Sequence, residues 1–78
     1  MSKLQEVIGQ RIFYARKEKE LSQTELAALA KVDKNTIYLI EKAGVNASVL
    51  KLHKICKVLD VKMVDLFKGY WIVNNLIF

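Results

Sequence analysis

The sequence has no proline, and only three of its 78 residues are glycine. Because these two residues interrupt helices most effectively, their scarcity permits long helical segments. The strict alternation of apolar and polar residues that indicates a half-buried strand is also missing from residues 1–69. We therefore expect an all-α fold, in one domain, since a chain of this length is too short to form two.

Residues that carry chemistry are equally scarce. His53 is the one histidine and has no second His, Asp or Cys at the spacing of a metal site. Cys56 is the one cysteine, which excludes an internal disulfide and favours a buried, reduced thiol in a cytoplasmic protein. Apart from these two residues there is no nucleophile–base arrangement, and there is no glycine-rich phosphate loop. We accordingly expect no metal, no cofactor and no enzymatic activity.

Long hydrophobic runs are absent as well. No apolar stretch approaches the ~20 residues of a membrane span, and the N-terminus lacks a signal-peptide pattern. The apolar fraction of 53% excludes a disordered chain. Lysine and arginine number 13 against 8 acidic residues, a net charge of +5 that favours a polyanionic partner: DNA, RNA or an acidic membrane surface.

Apolar residues spaced by three and four predict five helical segments, at about 2–19, 23–30, 34–42, 47–59 and 63–68. The second begins with a capping box, Ser22-x-x-Glu25. Asp33 is expected to cap the third, and Asn46 or Ser48 the fourth. The positions expected to face the core are Leu4, Val7, Ile8, Ile12, Ala15, Leu26, Ala27, Leu29, Ala30, Ile37, Ile40, Val49, Leu52, Ile55, Cys56 and Leu59.

The second and third segments are separated by very few residues. Only Lys31 and Val32 lie between the end of the second segment and the Asp33 cap of the third. So tight a connection forces the two helices to cross at a large angle, as in a helix-turn-helix, here at about residues 22–42.

The outward face of the third segment is suited to DNA. At about 100° per residue, Ile37 and Ile40 share one side, and the other side carries Lys34, Asn35, Tyr38, Leu39 and Lys42. A helix of this size fits the major groove, where Asn can pair with adenine, Lys with guanine or phosphate, and Leu with a thymine methyl. Lys42 suits a phosphate. The simpler alternative is an ordinary solvated face, but the capping box, the tight turn and the basic charge together favour DNA binding.

These motifs resemble the phage Cro/repressor (XRE-type) family of helix-turn-helix proteins. The resemblance rests on Arg16, on the run from Leu21 to Ala27, on Val32, on Thr36-Ile37 and Ile40-Glu41, and on Leu52, Ile55, Leu59 and Asp65-Leu66-Phe67. It covers about residues 8–68 and implies a five-helix DNA-binding domain. The chain departs from the family pattern at Lys31 and Ala43, where glycine is frequent, and at Ala47, where proline is frequent.

The resemblance also implies roles for matching residues. Lys34, Asn35, Tyr38 and Leu39 match the family's base-contacting positions. Gln23 would bind a DNA phosphate, and Arg16 and Glu41 would form an ion pair between the first helix and the third. The residues expected to contact phosphate are Gln23, Thr24, Lys42, Asn46 and Arg11.

The last nine residues form a separate apolar tail. Seven of residues 70–78 are apolar, and the tail is compatible with a hairpin at Asn74-Asn75 or with a continued helix. A patch of this kind predicts either a dimer interface or closure of the domain's own core. The residues expected in a dimer interface are Phe67, Trp71, Ile72, Val73 and Leu76. We therefore divide the chain into a DNA-binding domain, 1–69, and a tail, 70–78.

Dimerisation would also serve specificity. One short helix contacts roughly four base pairs, so proteins of this type bind palindromic sites as two-fold dimers with half-sites about 34 Å apart. The expected function is a transcriptional regulator: a Cro-like repressor, a restriction–modification controller, or an antitoxin whose toxin binds the tail. A protein-interaction module using the same fold is the alternative.

Overall fold

The computed structural model of the protein describes residues 3–42 and 48–66. Within these ranges the chain forms four α-helices and a 3₁₀ turn: α1 (Lys3–Glu18), α2 (Gln23–Ala30), α3 (Lys34–Glu41), α4 (Val49–Leu59) and the turn Met63–Leu66. None of the described residues belongs to a strand. The expected all-helical fold is confirmed, with helix bounds within two residues of those predicted for the first four segments.

Side-chain caps explain where α2 and α4 begin. Ser22 Oγ accepts a hydrogen bond from the Glu25 N–H at 3.0 Å, and the Glu25 carboxylate accepts one from the Ser22 N–H at 2.8 Å. The bond from the Ser22 backbone lowers the pKa of Glu25. Ser48 caps α4 by accepting from the Lys51 N–H at 3.2 Å. Asp33 occupies the cap position of α3, but its side chain makes no capping bond.

A left-handed residue ends α2 and creates the tight turn. Lys31 has φ of 59°, and its N–H donates to the carbonyls of Ala27 and Ala28. Val32 N–H then donates to the Ala27 carbonyl at 3.0 Å. This conformation is uncommon for a residue with a Cβ, and it turns the chain so that only three residues lie between the end of α2 and the start of α3.

The core is a single cluster contributed by all five elements. Its members are Ile12, Leu26, Ala27, Ala30, Ile37, Ile40, Leu52, Ile55, Cys56, Leu59 and Leu66. Two residues that were expected to face it do not: Leu29 is 58% exposed and Val49 is 72% exposed. Leu29 lies about 100° around α2 from the middle of its buried stripe, and Val49 is the first residue of α4.

The prediction of a fifth α-helix at 63–68 is wrong for the described residues. Met63–Leu66 is a 3₁₀ turn, with the Asp65 N–H donating to the Lys62 carbonyl at 2.9 Å. 3₁₀ helices are usually short, because side chains three residues apart eclipse one another and the hydrogen bonds are poorly aligned. Four residues are nevertheless enough to bury Leu66 against the core.

Gly9 lets α1 approach the end of α3 closely. It is buried in the middle of α1, where glycine weakens a helix by about 0.5–1 kcal/mol relative to alanine. A Cβ at this position would overlap the carbonyl oxygen of Ile40 and lie 3.1 Å from that of Glu41. The backbone of α3 thus occupies the space that a side chain at position 9 would need.

A buried ion pair joins the same two helices. Arg16 Nε donates to Glu41 Oε2 at 2.6 Å, and Arg16 Nη2 donates to Glu41 Oε1 at 2.9 Å. The two side chains are only 6% and 5% exposed. The hydrogen bond to Glu41 raises the pKa of Arg16, and Arg16 Nη1 also donates to the Leu21 carbonyl at 2.9 Å. The paired residues implied by the family resemblance therefore meet, and they fix α3 to α1.

The first prediction concerns the close approach at Gly9. Gly9→Ala should lower the free energy of unfolding by about 1–3 kcal/mol, because overpacking outweighs the gain in helix propensity. Urea denaturation followed by circular dichroism measures the change. Gln10→Ala, on the exposed side of the same helix, is the control and should be neutral or slightly stabilising. Equal stability of the two variants would show that α1 and α3 have room to separate.

The second prediction concerns the ion pair. Arg16→Met should cost about 3 kcal/mol or more, because it leaves the Glu41 carboxylate buried without its cation. Arg11→Met is a control on α1, where a half-buried arginine makes a solvent-exposed hydrogen bond to a carbonyl; it should cost about 1 kcal/mol or less. Thermal and urea unfolding compare the two. If both variants lose a similarly small amount of unfolding free energy, then water stabilises the Glu41 carboxylate no less than Arg16 does.

Candidate nucleic-acid interface

One face of α3 is exposed and rich in hydrogen-bonding groups. Lys34, Asn35, Tyr38 and Lys42 are all exposed, and their spacing of three and four residues places them along one side of the helix. The opposite side is held in the core by Ile37 and Ile40. Leu39, also expected to contact bases, is only half-buried and borders this face. The structure therefore brings the five predicted residues together on one surface.

Two of these side chains contact each other. Lys42 Nζ donates to Tyr38 Oη at 3.0 Å, and the same ammonium lies 5.3 Å from the centroid of the Tyr38 ring. The hydrogen bond raises the pKa of Lys42. About one turn of helix separates the two residues, and the contact holds the Lys42 ammonium against the exposed Tyr38 side chain.

An open cleft of about 610 Å³ lies beside this face, where α2 begins. Its lining includes Gln23 and Thr24 of α2, Lys34 of α3 and Lys17 of α1. The backbone N–H groups of the first helical turn point outward at such a position and carry partial positive charge. Together with two lysines they suit a phosphate group, although Glu20 and Glu25 also line the cleft, Glu25 with its carboxylate bonded to the Ser22 N–H. Lys17 was not predicted, and its place here depends on how α1 crosses α2.

Gln23 has a second contact that ties this cleft to α3. Its Nε2 donates to Glu41 Oε1 at 3.1 Å. Glu41 thus accepts hydrogen bonds from both Arg16 and Gln23, and the network links α1, the start of α2 and the end of α3. The orientation of α3 relative to the cleft is fixed by this carboxylate.

Arg11 stands apart from the other expected phosphate ligands. Its Nη1 donates to the Asp65 carbonyl at 2.9 Å, beside the 3₁₀ turn. On a helix, Arg11 lies about 200° from Gly9, whose side of α1 meets α3. The structure therefore does not bring Arg11 to the face formed by α3.

Several predicted residues lie outside the described ranges. These are Asn46 and the whole set expected in a dimer interface: Phe67, Trp71, Ile72, Val73 and Leu76.

Gly9 and the Leu21 carbonyl were not predicted as parts of the support for α3. A glycine within an otherwise regular helical pattern was the available signal for Gly9, because such a residue weakens a helix unless packing requires it. The contact of Arg16 with the Leu21 carbonyl could not be predicted from residue types, because every residue has a backbone carbonyl.

The described residues offer little for other chemistry. Burial raises the pKa of the Cys56 thiol, and the nearby Asp65 carboxylate adds to this, so the reactive thiolate is disfavoured. In the parts of the chain that the structure describes, no group of three His, Cys, Asp or Glu side chains could hold a metal ion. None of the described helices is both long and apolar enough to cross a bilayer.

Known structures include close matches to this fold. The restriction–modification controller protein C.AhdI from Aeromonas hydrophila is 32% identical with a TM-score of 0.77, over 81% of this chain and 96% of that one. The controller protein C.Esp1396I is 31% identical with a TM-score of 0.79, over 87% of this chain and 90% of that one. C.Esp1396I is also known as a tetramer in complex with its natural 35-base-pair operator.

A third match is SinR in the complex of the SinR and SinI proteins. It is 42% identical with a TM-score of 0.77, and the match spans 81% of this chain and 62% of that one. Among curated proteins, none matches the sequence significantly.

The family model described as helix-turn-helix matches residues 12–66, which include the core, the Arg16–Glu41 pair and the exposed face of α3. That span is most of the chain, and the solved structures that share more than 30% of its residues have the same fold. The protein therefore belongs to the XRE-type helix-turn-helix family of DNA-binding transcription regulators.

Proposed function

We propose that the protein is a sequence-specific regulator that binds a palindromic operator as a homodimer, with α3 in the major groove. The observation that carries the proposal is the exposed face of α3, which is held in place from behind by the Arg16–Glu41 pair. In this arrangement Lys34, Asn35, Tyr38 and Leu39 contact base edges. Asn35 pairs with an adenine and Lys34 with a guanine or a phosphate, as their chemistry allows.

Phosphates flanking the groove would bind at the two ends of the motif. Gln23 and Thr24 offer N–H groups at the start of α2, next to Lys34 and Lys17. Lys42 offers an ammonium at the end of α3, and Asn46, four residues later in the sequence, would add a further contact. Phosphate contacts fix the register of α3 on the duplex, while base contacts select the sequence.

The tail is proposed as the dimer interface. Residues 70–78 include seven apolar side chains, more than a small monomer leaves exposed without a partner. Phe67, Trp71, Ile72, Val73 and Leu76 would bury one another across a two-fold axis. The likeness to C.Esp1396I, which assembles as a tetramer on its operator, supports an oligomer on DNA and a controller-like role.

A second candidate is a regulator whose activity is set by another protein. The match to SinR, solved in a complex with the SinI protein, favours it. In this case a partner protein, such as a toxin bound by an antitoxin, would occupy the apolar tail in place of a second copy.

The third prediction tests the contact of α3 with bases. Selection from random DNA should enrich a palindrome whose half-sites are one helical turn apart. Asn35→Ala with Tyr38→Ala should abolish the enrichment and weaken binding to the selected site at least about 30-fold, since two lost base contacts at ~1–3 kcal/mol each cost at least ~2 kcal/mol. Fluorescence anisotropy at two salt concentrations measures the affinity and its salt dependence.

The matched control is Gln10→Ala with Tyr14→Ala. It removes an amide and a tyrosine from exposed positions on α1, and operator affinity should stay within about twofold of wild type. Salt-sensitive binding without any enriched sequence would mean that the positive charge attracts DNA generally and that α3 selects no bases.

The fourth prediction tests the tail. Deleting residues 70–78 should convert a dimer into a monomer or an insoluble chain, as judged by sedimentation velocity. The full-length variant Trp71→Lys with Leu76→Lys should also be monomeric, because burying two unpaired charges is costly. A truncated protein that stays soluble and dimeric would exclude the tail as the interface.

A further inference from the structure

A shallow groove lies between the C-terminal ends of α2 and α4. It has a volume of about 300 Å³ and is lined by Leu29, Ala30, Lys31, Lys54, Lys57 and Val58. We call it the Leu29 groove. Ligand pockets usually have volumes of about 300–1,000 Å³, so this groove is suited to one or two side chains rather than to a whole cofactor.

The floor of the groove is apolar, although it is open to solvent. Leu29 is 58% exposed, beside Val58, which packs partly against the core. The core does not cover Leu29, so the packing of α2 does not require a leucine at this position. An exposed leucine alone is common, but here it lies in a concave site with a charged rim.

The rim carries positive charge only. Lys31, Lys54 and Lys57 surround the groove, and its lining contains no Asp or Glu. Among the residues that the structure describes, none of these three ammonium groups has a hydrogen bond or ion pair. Gathering unpaired like charges destabilises a fold through repulsion. Lys31 adds a second cost, because it is in the left-handed conformation with φ of 59°.

An anionic partner with an apolar anchor fits these features. A second copy of the chain fits them less well, because each copy has a net charge of +5 and would bring like charge to a lysine rim. DNA also fits less well, since a phosphate backbone gains nothing from an apolar floor. The groove lies at the opposite end of α2 from Gln23 and Thr24, about 10 Å away along a helix that rises 1.5 Å per residue.

We propose that the Leu29 groove binds an acidic amphipathic helix of a partner protein, and that it remains accessible while α3 is on DNA. One or two apolar side chains of the partner pack on Leu29 and Val58, as in other helix-in-groove complexes. Carboxylates one turn to either side pair with Lys31, Lys54 and Lys57. The partner's charge selects this surface, and its apolar residues supply most of the affinity.

The test is selection of peptides on the full-length protein. A phage library of random peptides of about 15 residues, roughly four helical turns, is selected on immobilised wild-type protein. The enriched peptides should be acidic and carry apolar residues at a spacing of three or four. No enrichment, or enrichment of neutral or basic peptides, would overturn the proposal.

Variants then locate the binding site of the enriched peptides. Leu29→Ser, and separately Lys54→Gln with Lys57→Gln, should each weaken binding at least about fivefold by anisotropy. The matched controls are Val64→Ser, at another exposed apolar residue, and Lys19→Gln with Lys62→Gln, at exposed lysines outside the groove. Controls should stay within about twofold of wild type. Equal effects of groove and control variants would refute the site.

Two further measurements distinguish the proposed partner from the other possible occupants of the groove, DNA and a second copy of the chain. If Lys54→Gln with Lys57→Gln weakens operator binding about tenfold more than the control lysine pair, the lysines contact phosphates, and the protein-partner proposal fails. If Leu29→Ser changes the oligomeric state in sedimentation velocity, the groove is an interface between copies of the chain, and the proposal fails in the same way. Unchanged DNA affinity and unchanged oligomeric state are the expected results.

Discussion

The buried carboxylate of Glu41 determines where the exposed face of α3 lies. It accepts two bonds from Arg16 and one from Gln23, so three helices converge on one charged group. Removing two charges from water is costly, and the attraction offsets that cost only when the geometry is good and the remaining polar atoms have partners. Here the remaining Arg16 Nη1 donates to the Leu21 carbonyl. The network therefore specifies one position of α3 rather than adding much stability.

The backbone approach at Gly9 acts with this network. An isolated helix of eight residues, the length of α3, is unstable in water, because nucleation costs more than so few hydrogen bonds return. Its shape and direction must come from contacts with α1 and α2. Gly9 allows the Ile40 and Glu41 carbonyls to meet α1, and Ile37 and Ile40 fill the core. The position of the exposed face of α3 is consequently set by the core and by α1 behind it.

Sequence reasoning found the elements whose causes are local. The Ser22 capping box and the apolar spacing were enough to predict α2 to the residue, and the resemblance paired Arg16 with Glu41. It was wrong for Leu29 and Val49, because periodicity says which side of a helix is apolar but not how much of that side a neighbouring helix covers. The fifth helix was overpredicted for a related reason: Met63–Leu66 has only to place Leu66 in the core, and one 3₁₀ turn does so. The half-burial of Leu39 and the place of Lys17 in the cleft depend on how the helices cross, which no local pattern encodes.

The exposure of Leu29, which the apolar spacing of α2 did not predict, also bears on function. A leucine that the core does not need, next to a left-handed Lys31 where glycine would relieve strain, departs twice from what folding alone favours. Departures of this kind concentrate at functional sites, because natural sequences are otherwise locally consistent. In this chain they fall at the end of α2 opposite the proposed phosphate contacts. If both proposals hold, the two ends of one short helix face different partners, and a protein bound at the Leu29 groove need not displace DNA from α3.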